Sequence, residues 1–126
     1  MKNIKEVSIN TTVKDLFNKW LSFTRPFHKL TNQRQNVLAL FLYYHYKFSK
    51  DITNEKILWK IVFDYETKKL IKEELGLSDA TLQNIMTYFR QNNIILKDKI
   101  NPAYMPQLSK DSKNFKIIYN LNIIDE

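Results

Sequence analysis

The chain of 126 residues has no cysteine, one glycine, three prolines and two histidines. Lack of cysteine excludes a disulfide framework, a thiolate metal site and a thiol nucleophile. A single glycine excludes the phosphate-cradling and dinucleotide-binding loops, each of which needs several. His28 and His45 stand in no HExxH or other paired spacing, so no metal ligand set is expected. The carboxylates are scattered among lysines on helix-patterned stretches, where they read as exposed i,i+4 partners rather than general acids. No enzyme, cofactor or small-molecule substrate is expected. The longest apolar run, "VLALFLYY" from Val37 to Tyr44, is far too short to span a bilayer. The opening "MKNIKEVSINTTVKDLF" lacks the apolar stretch of a signal peptide. No membrane association is expected, and an intracellular setting is.

What the chain does have is enough apolar residues (44%) for one folded domain with its own core, and a net charge of +7. That charge is uneven. Residues 1–50 carry nine Lys/Arg against Glu6 and Asp15, while residues 51–100 and 101–126 each balance. A basic half favours DNA or another polyanion as partner. The competing source is codon bias, since the Lys, Asn and Ile content suits an AT-rich genome.

Residues 1–10 read as an extended arm. Thr11 or Thr12 caps a first helix, in which Val13, Leu16, Phe17, Trp20 and Leu21 form one apolar stripe, and Pro26 stops it near Phe23 or Thr24. A second helix starts at Thr31 or Asn32. It runs through "QRQNVLALFLYYHYKF", apolar on most faces, and its aromatics read as core with a damp rim rather than as a base-stacking platform. Asn54 caps a short apolar helix, "EKILWKIVF". In "ETKKLIKEELGLSDATLQNIMTYFR", Gly76 fits the left-handed position that ends one helix, and Ser78 the cap of the next. Leu82, Ile85, Met86 and Phe89 give that last helix its buried face.

The tail changes period. "IIL" from Ile94 to Leu96 is a short strand, and "KIIYNLNII" alternates Ile117, Tyr119, Leu121 and Ile123 against Ile118, Asn120 and Asn122, the two-residue period of a strand. These patterns predict a mainly α chain with a small β-hairpin: a winged helix-turn-helix over residues 31–126, with a long wing loop at 98–115. An N-terminal basic arm and helix (1–30) precede it.

On these residues the chain resembles winged helix-turn-helix domains. Taking Gly76 as the turn glycine, Leu82 and Ile85 fall on the packing positions of the family's second helix and Ile71 on one of its first. "LTNQRQNVLALFL" is similar to the first-helix signature of many bacterial and phage regulators. Lys72 stands where the family usually has a small residue. The Lys/Ile/Asn texture and the block "LWKIVFDYETKKLIKEELGLSDATLQNIMTYFRQNNII" resemble small proteins of tailed, crAss-like bacteriophages. That resemblance implies the cytoplasm of a host cell or a virion as the location.

Two functions follow as expectations. In the first, the protein binds DNA through residues 78–91, with Gln83, Asn84, Thr87 and Arg90 at bases. Phosphate contacts would then come from the basic arm and first helix (Lys14, Lys19, Arg25, Lys29, Arg34) and from the wing (Lys110, Lys113). Asp79, at the leading edge of the reading helix, opposes this. In the second, the protein is a virion or assembly component, capsid- or portal-associated. The fold is then a docking shape, and the arm of residues 1–12 and loop 98–115 clasp neighbouring subunits.

Overall fold

A computed structural model of the chain describes residues 6–108, 115–118 and 120–125. Helix starts follow side chains that can satisfy the first free N–H groups. Thr12 accepts from the N–H of Asp15 at 3.2 Å and opens α1 (Val13–Phe23). Thr31 accepts from Arg34 and opens α3 (Asn32–Ser49). Asn54, Asp64 and Ser78 do the same for α4 (Glu55–Val62), α5 (Tyr65–Leu75) and α6 (Asp79–Gln91). Pro26 does more than stop α1. It lies in the first turn of α2 (Arg25–His28), where its missing N–H costs nothing.

Helices α5 and α6 end at left-handed residues. At Gly76 φ is +64°, and the N–H of Leu77 closes the end of α5 on the carbonyl of Lys72 at 2.9 Å. The same geometry ends α6, with Asn93 at φ +58° and the N–H of Ile94 on the carbonyl of Phe89 at 2.9 Å. Asparagine tolerates this region better than most residues, so a chain with one glycine still makes the turn.

The core is organised on α3, which packs against α1, α4 and α5. Val37, Leu38, Phe41 and Leu42 of α3 are buried with Phe17 and Leu21 of α1, Leu58 and Val62 of α4, Ile71 of α5, and Leu82, Ile85, Met86 and Phe89 of α6. The aromatics of α3 belong to this core: Phe41 packs on Phe63 at 5.1 Å, and Tyr44 stacks on Phe48 at 5.7 Å. One polar knot ties α1 and α2 to α3. The buried Gln35 takes Nε and Nη2 of Arg25 on its carbonyl oxygen and donates its amide to Asn18 and Ser22.

The hairpin differs from the long wing expected over 98–115. Strand β1 (Ile95–Leu96) pairs antiparallel with β2 (Lys99–Ile100), Ile95 opposite Ile100, across the two residues Lys97 and Asp98. A two-residue turn closes a far shorter loop than a crossing to residue 117. It also buries Ile94, Ile95 and Ile100 together. Beyond it, a 3₁₀ turn (Pro102–Tyr104) lies back on the body, where the carbonyl of Tyr104 accepts from Nε1 of Trp20 at 2.9 Å. The described residues of the alternating segment, 117, 118 and 120–123, form no strand, and Ile118, Leu121 and Ile123 are 82–94% exposed. Tyr119 lies outside the described residues. Among the described residues no helix is long and apolar enough to cross a membrane.

Candidate nucleic-acid interface

Helix α6 is amphipathic in a way that divides its work. Leu82, Ile85, Met86 and Phe89 face the core, so the 3.6-residue period turns Gln83, Asn84, Thr87 and Arg90 to solvent, where all four are exposed. Gln83 and Asn84 carry the amide pair that can both donate to and accept from an adenine edge, and Thr87 and Arg90 follow along the same side.

The acidic leading edge is neutralised. Asp79 is ion-paired with Lys72, whose ammonium is held above its usual pKa mainly by that hydrogen bond. Lys72 thus bridges the end of α5 to the start of α6. It also lies 5.7 Å from the ring centroid of Tyr65.

Beside α6, Lys68 of α5 adds positive charge that Asp64 only partly offsets. Lys68 of α5 has its pKa lowered, first by burial and next by the charge of Arg90, with Asp64 partly offsetting and Lys72 adding to the repulsion. Among the described residues neither Lys68 nor Arg90 forms an ion pair. On another flank of α6 the Arg34 guanidinium lies 3.6 Å from the ring centroid of Tyr88, which joins the start of α3 to α6. At the hairpin tip Lys97 and Lys99 are exposed around Asp98.

Three other basic residues expected on phosphates, Lys14, Lys19 and Arg25, make contacts within the fold. Lys14 is bonded to Glu74 at 2.5 Å, and this hydrogen bond is the main cause of its raised pKa. Arg25 donates into the Gln35 knot at 2.6 and 3.0 Å. Lys19 reaches Thr11 Oγ1 at 3.1 Å, and Lys29 is exposed in the left-handed turn that ends α2 (φ +55°). Lys110 and Lys113 lie outside the described residues. The structure therefore brings Arg34, through Tyr88, to the helix of Gln83, Asn84, Thr87 and Arg90. It spends Lys14 and Arg25 on contacts within the fold. The influence of Arg90 on Lys68 has no local sequence signal, because the two residues lie on different helices twenty-two positions apart. The Arg34–Tyr88 contact could have been sought from a tyrosine at the edge of the α6 apolar stripe.

His45 is a second polar group of note. It stacks on Trp59 with centroids 4.1 Å apart, and its Nε2 is buried without a hydrogen bond, 4.0 Å from Glu55 Oε2. Burial lowers its pKa and Glu55 partly opposes this. Among the described residues no group of three or more His, Asp or Glu side chains is placed to hold a metal ion.

No family model matches the chain, and neither a curated protein nor a solved structure does.

Proposed function

We propose that this protein is a non-enzymatic, phage-type DNA-binding protein of winged-helix design, acting in the host cytoplasm or virion. It lays α6 along duplex DNA with Gln83, Asn84, Thr87 and Arg90 toward the bases. The short hairpin is its wing, and Lys97 and Lys99, with Lys68 and Arg34, take the phosphates. One observation carries the reading: α6 turns Gln83, Asn84, Thr87 and Arg90 to solvent as one exposed hydrogen-bonding face. Lys68, whose pKa is lowered by burial and then by the Arg90 charge, adds positive charge to that side, and a DNA phosphate arriving there favours its charged form. The Lys72–Asp79 pair supports it by removing a bare carboxylate from the approaching edge.

The test is fluorescence anisotropy with a random-sequence duplex at several salt concentrations. Binding should weaken as salt rises, and Lys97→Ala should reduce the log–log slope by about one. Absence of binding at low salt, or a slope near zero, defeats the proposal.

The assembly reading keeps one supporting observation. The arm exposes Val7 and Ile9 (86% and 56%), apolar side chains that a neighbouring subunit in a capsid or portal would cover. Residues 101–108 of the other expected clasp lie on the body instead, leaving the arm to serve. In this reading the arm of the isolated chain is cut early in limited proteolysis, and an arm that resists cleavage in a monomer removes the support.

A further inference from the structure

Building on the DNA-binding reading of α6, we infer that Tyr88 is a positioning residue. Its ring holds the Arg34 guanidinium flat, ready to take one phosphate with two parallel N–H bonds. Arg34 is fixed at both ends. Its backbone N–H is bonded to Oγ1 of Thr31, the cap of α3, at 3.4 Å. Its guanidinium carbon lies 3.6 Å from the ring centroid of Tyr88. That is van der Waals contact, which a planar cation reaches by lying along the ring face. The ring is fixed in turn, because Tyr88 is half-buried against the core and packs edge-on to the buried Phe89. Stacking occupies a face of the guanidinium and leaves its N–H donors, which lie in its plane, free to bond outward. Among the described residues the Arg34 side chain makes no hydrogen bond and no ion pair. A rigid fork with unused donors suits a phosphate better than a mobile ammonium does, since the side chain is ordered before the phosphate arrives.

The place of Tyr88 on α6 decides which part of a duplex Arg34 meets. Tyr88 lies one turn beyond Asn84, so the two share a side of the helix. At about 100° per residue, Arg90 projects about 160° around the axis from Tyr88. The exposed Asn84, Thr87 and Gln83 lie between them. A helix with its side chains is about 10–12 Å across and the major groove about 12 Å wide, so a helix in the groove has one strand's backbone along each flank. Arg34 then meets the backbone on the Asn84 side, and Lys68, which feels the Arg90 charge, meets the other. The same stack ties α3 to α6, so its test has to separate binding from a purely structural role.

Fluorescence anisotropy of the full chain with the random-sequence duplex, at several salt concentrations, makes that separation. Arg34→Gln should lower the log–log salt slope by about one, the signature of one lost phosphate contact. Tyr88→Leu keeps the charge but frees it, so affinity should fall about 3- to 10-fold with the slope unchanged. Tyr88→Phe keeps the ring and should stay within about twofold of the native chain. In the Arg34→Gln background Tyr88→Leu should add little, because the ring acts through the guanidinium. Arg34→Lys keeps the charge without the flat fork and should lose as much affinity as Tyr88→Leu. It carries the test if the circular dichroism spectrum shows that Tyr88→Leu does not fold. A native chain that binds no duplex at low salt overturns the DNA reading and this inference together. A native chain that binds, with a folded Tyr88→Leu or Arg34→Lys binding equally well, overturns this inference alone. So does a Tyr88→Leu loss that is as large without Arg34 as with it.

Discussion

Replacing Gly76 with alanine separates backbone strain from packing at the turn between α5 and α6. The residue sits at φ +64°, and a methyl group added there would meet no heavy atom within 4 Å. The cost is therefore purely conformational. An L-residue in the left-handed region is disfavoured by about 1–2 kcal/mol. Alanine also restricts the unfolded chain, which returns about 0.4–1 kcal/mol to the folded state. The net loss is about 0.5–1.5 kcal/mol. For a chain of this length, with an unfolding entropy of roughly 0.26 kcal/mol per degree, the midpoint falls by about 2–6 °C. Gly76→Asn should cost less than alanine, because asparagine enters the left-handed region more readily. Urea unfolding followed by circular dichroism measures this directly, with the slope unchanged and the midpoint lowered. A loss above about 3 kcal/mol would mean that something packs where the geometry leaves space. A gain would mean that the end of α5 is not held by a left-handed residue, and the turn would need another account.

Three further perturbations probe other parts of the fold. Lys97, at φ +52° in the hairpin turn and exposed, carries the penalty that Gly76 avoids; Lys97→Gly should stabilise by about 0.5–1 kcal/mol in the same assay, and a loss would refute strain at that position. Gln35→Leu leaves two donors of Arg25 and the acceptors of Asn18 and Ser22 unserved in a part-buried site. It should cost about 2–4 kcal/mol, and a loss below about 1 kcal/mol would show that water replaces the amide. His45 has a lowered pKa in the folded chain, so the unfolded chain binds its proton first. Its contribution is complete above the unfolded value of about 6.5 and declines as pH falls below it until the folded value is passed, with a slope of at most about 1.4 kcal/mol per pH unit. Stability measured between pH 7.5 and 5 should fall accordingly, and His45→Phe, which keeps a ring on Trp59, should flatten the curve; an unchanged curve refutes the assignment.

Local chemistry made the helices legible. Thr31, Asn54 and Ser78 are short polar side chains that cap where their sequence neighbours imply, and Gly76 ends α5 as expected, whereas Asp64, which caps α5 before a polar run, gave no such signal. The hairpin was not legible, because two candidate second strands competed. "KIIYNLNII" has the longer alternation, whereas Lys99–Ile100 has no pattern at all over two residues. What favours the shorter strand is a turn of two residues at Lys97 and Asp98 and the burial of Ile100 against β1, a tertiary gain that period counting cannot weigh.

The candidate interface shows the same division. The exposed face of α6 follows from its period, so Gln83, Asn84, Thr87 and Arg90 could be named in advance. The charge could not be assigned by counting, because a basic residue is available to a polyanion only when nothing nearer holds it. Lys14 is held by a glutamate sixty residues away, and Arg25 by an amide on the next long helix. Lys72, which a local count offsets with Glu73 and Glu74, instead neutralises Asp79 across the turn. These pairings withdraw Lys14 and Arg25 from the available positive charge, while Lys68 and Arg90, twenty-two positions apart, are close enough for the Arg90 charge to help lower the Lys68 pKa. Exposed ion pairs are individually weak, so Lys14 and Lys72 can be released to a phosphate at small cost. Among the described residues Lys68 and Arg90 form no ion pair, so in the proposed reading they need give up none to meet a phosphate.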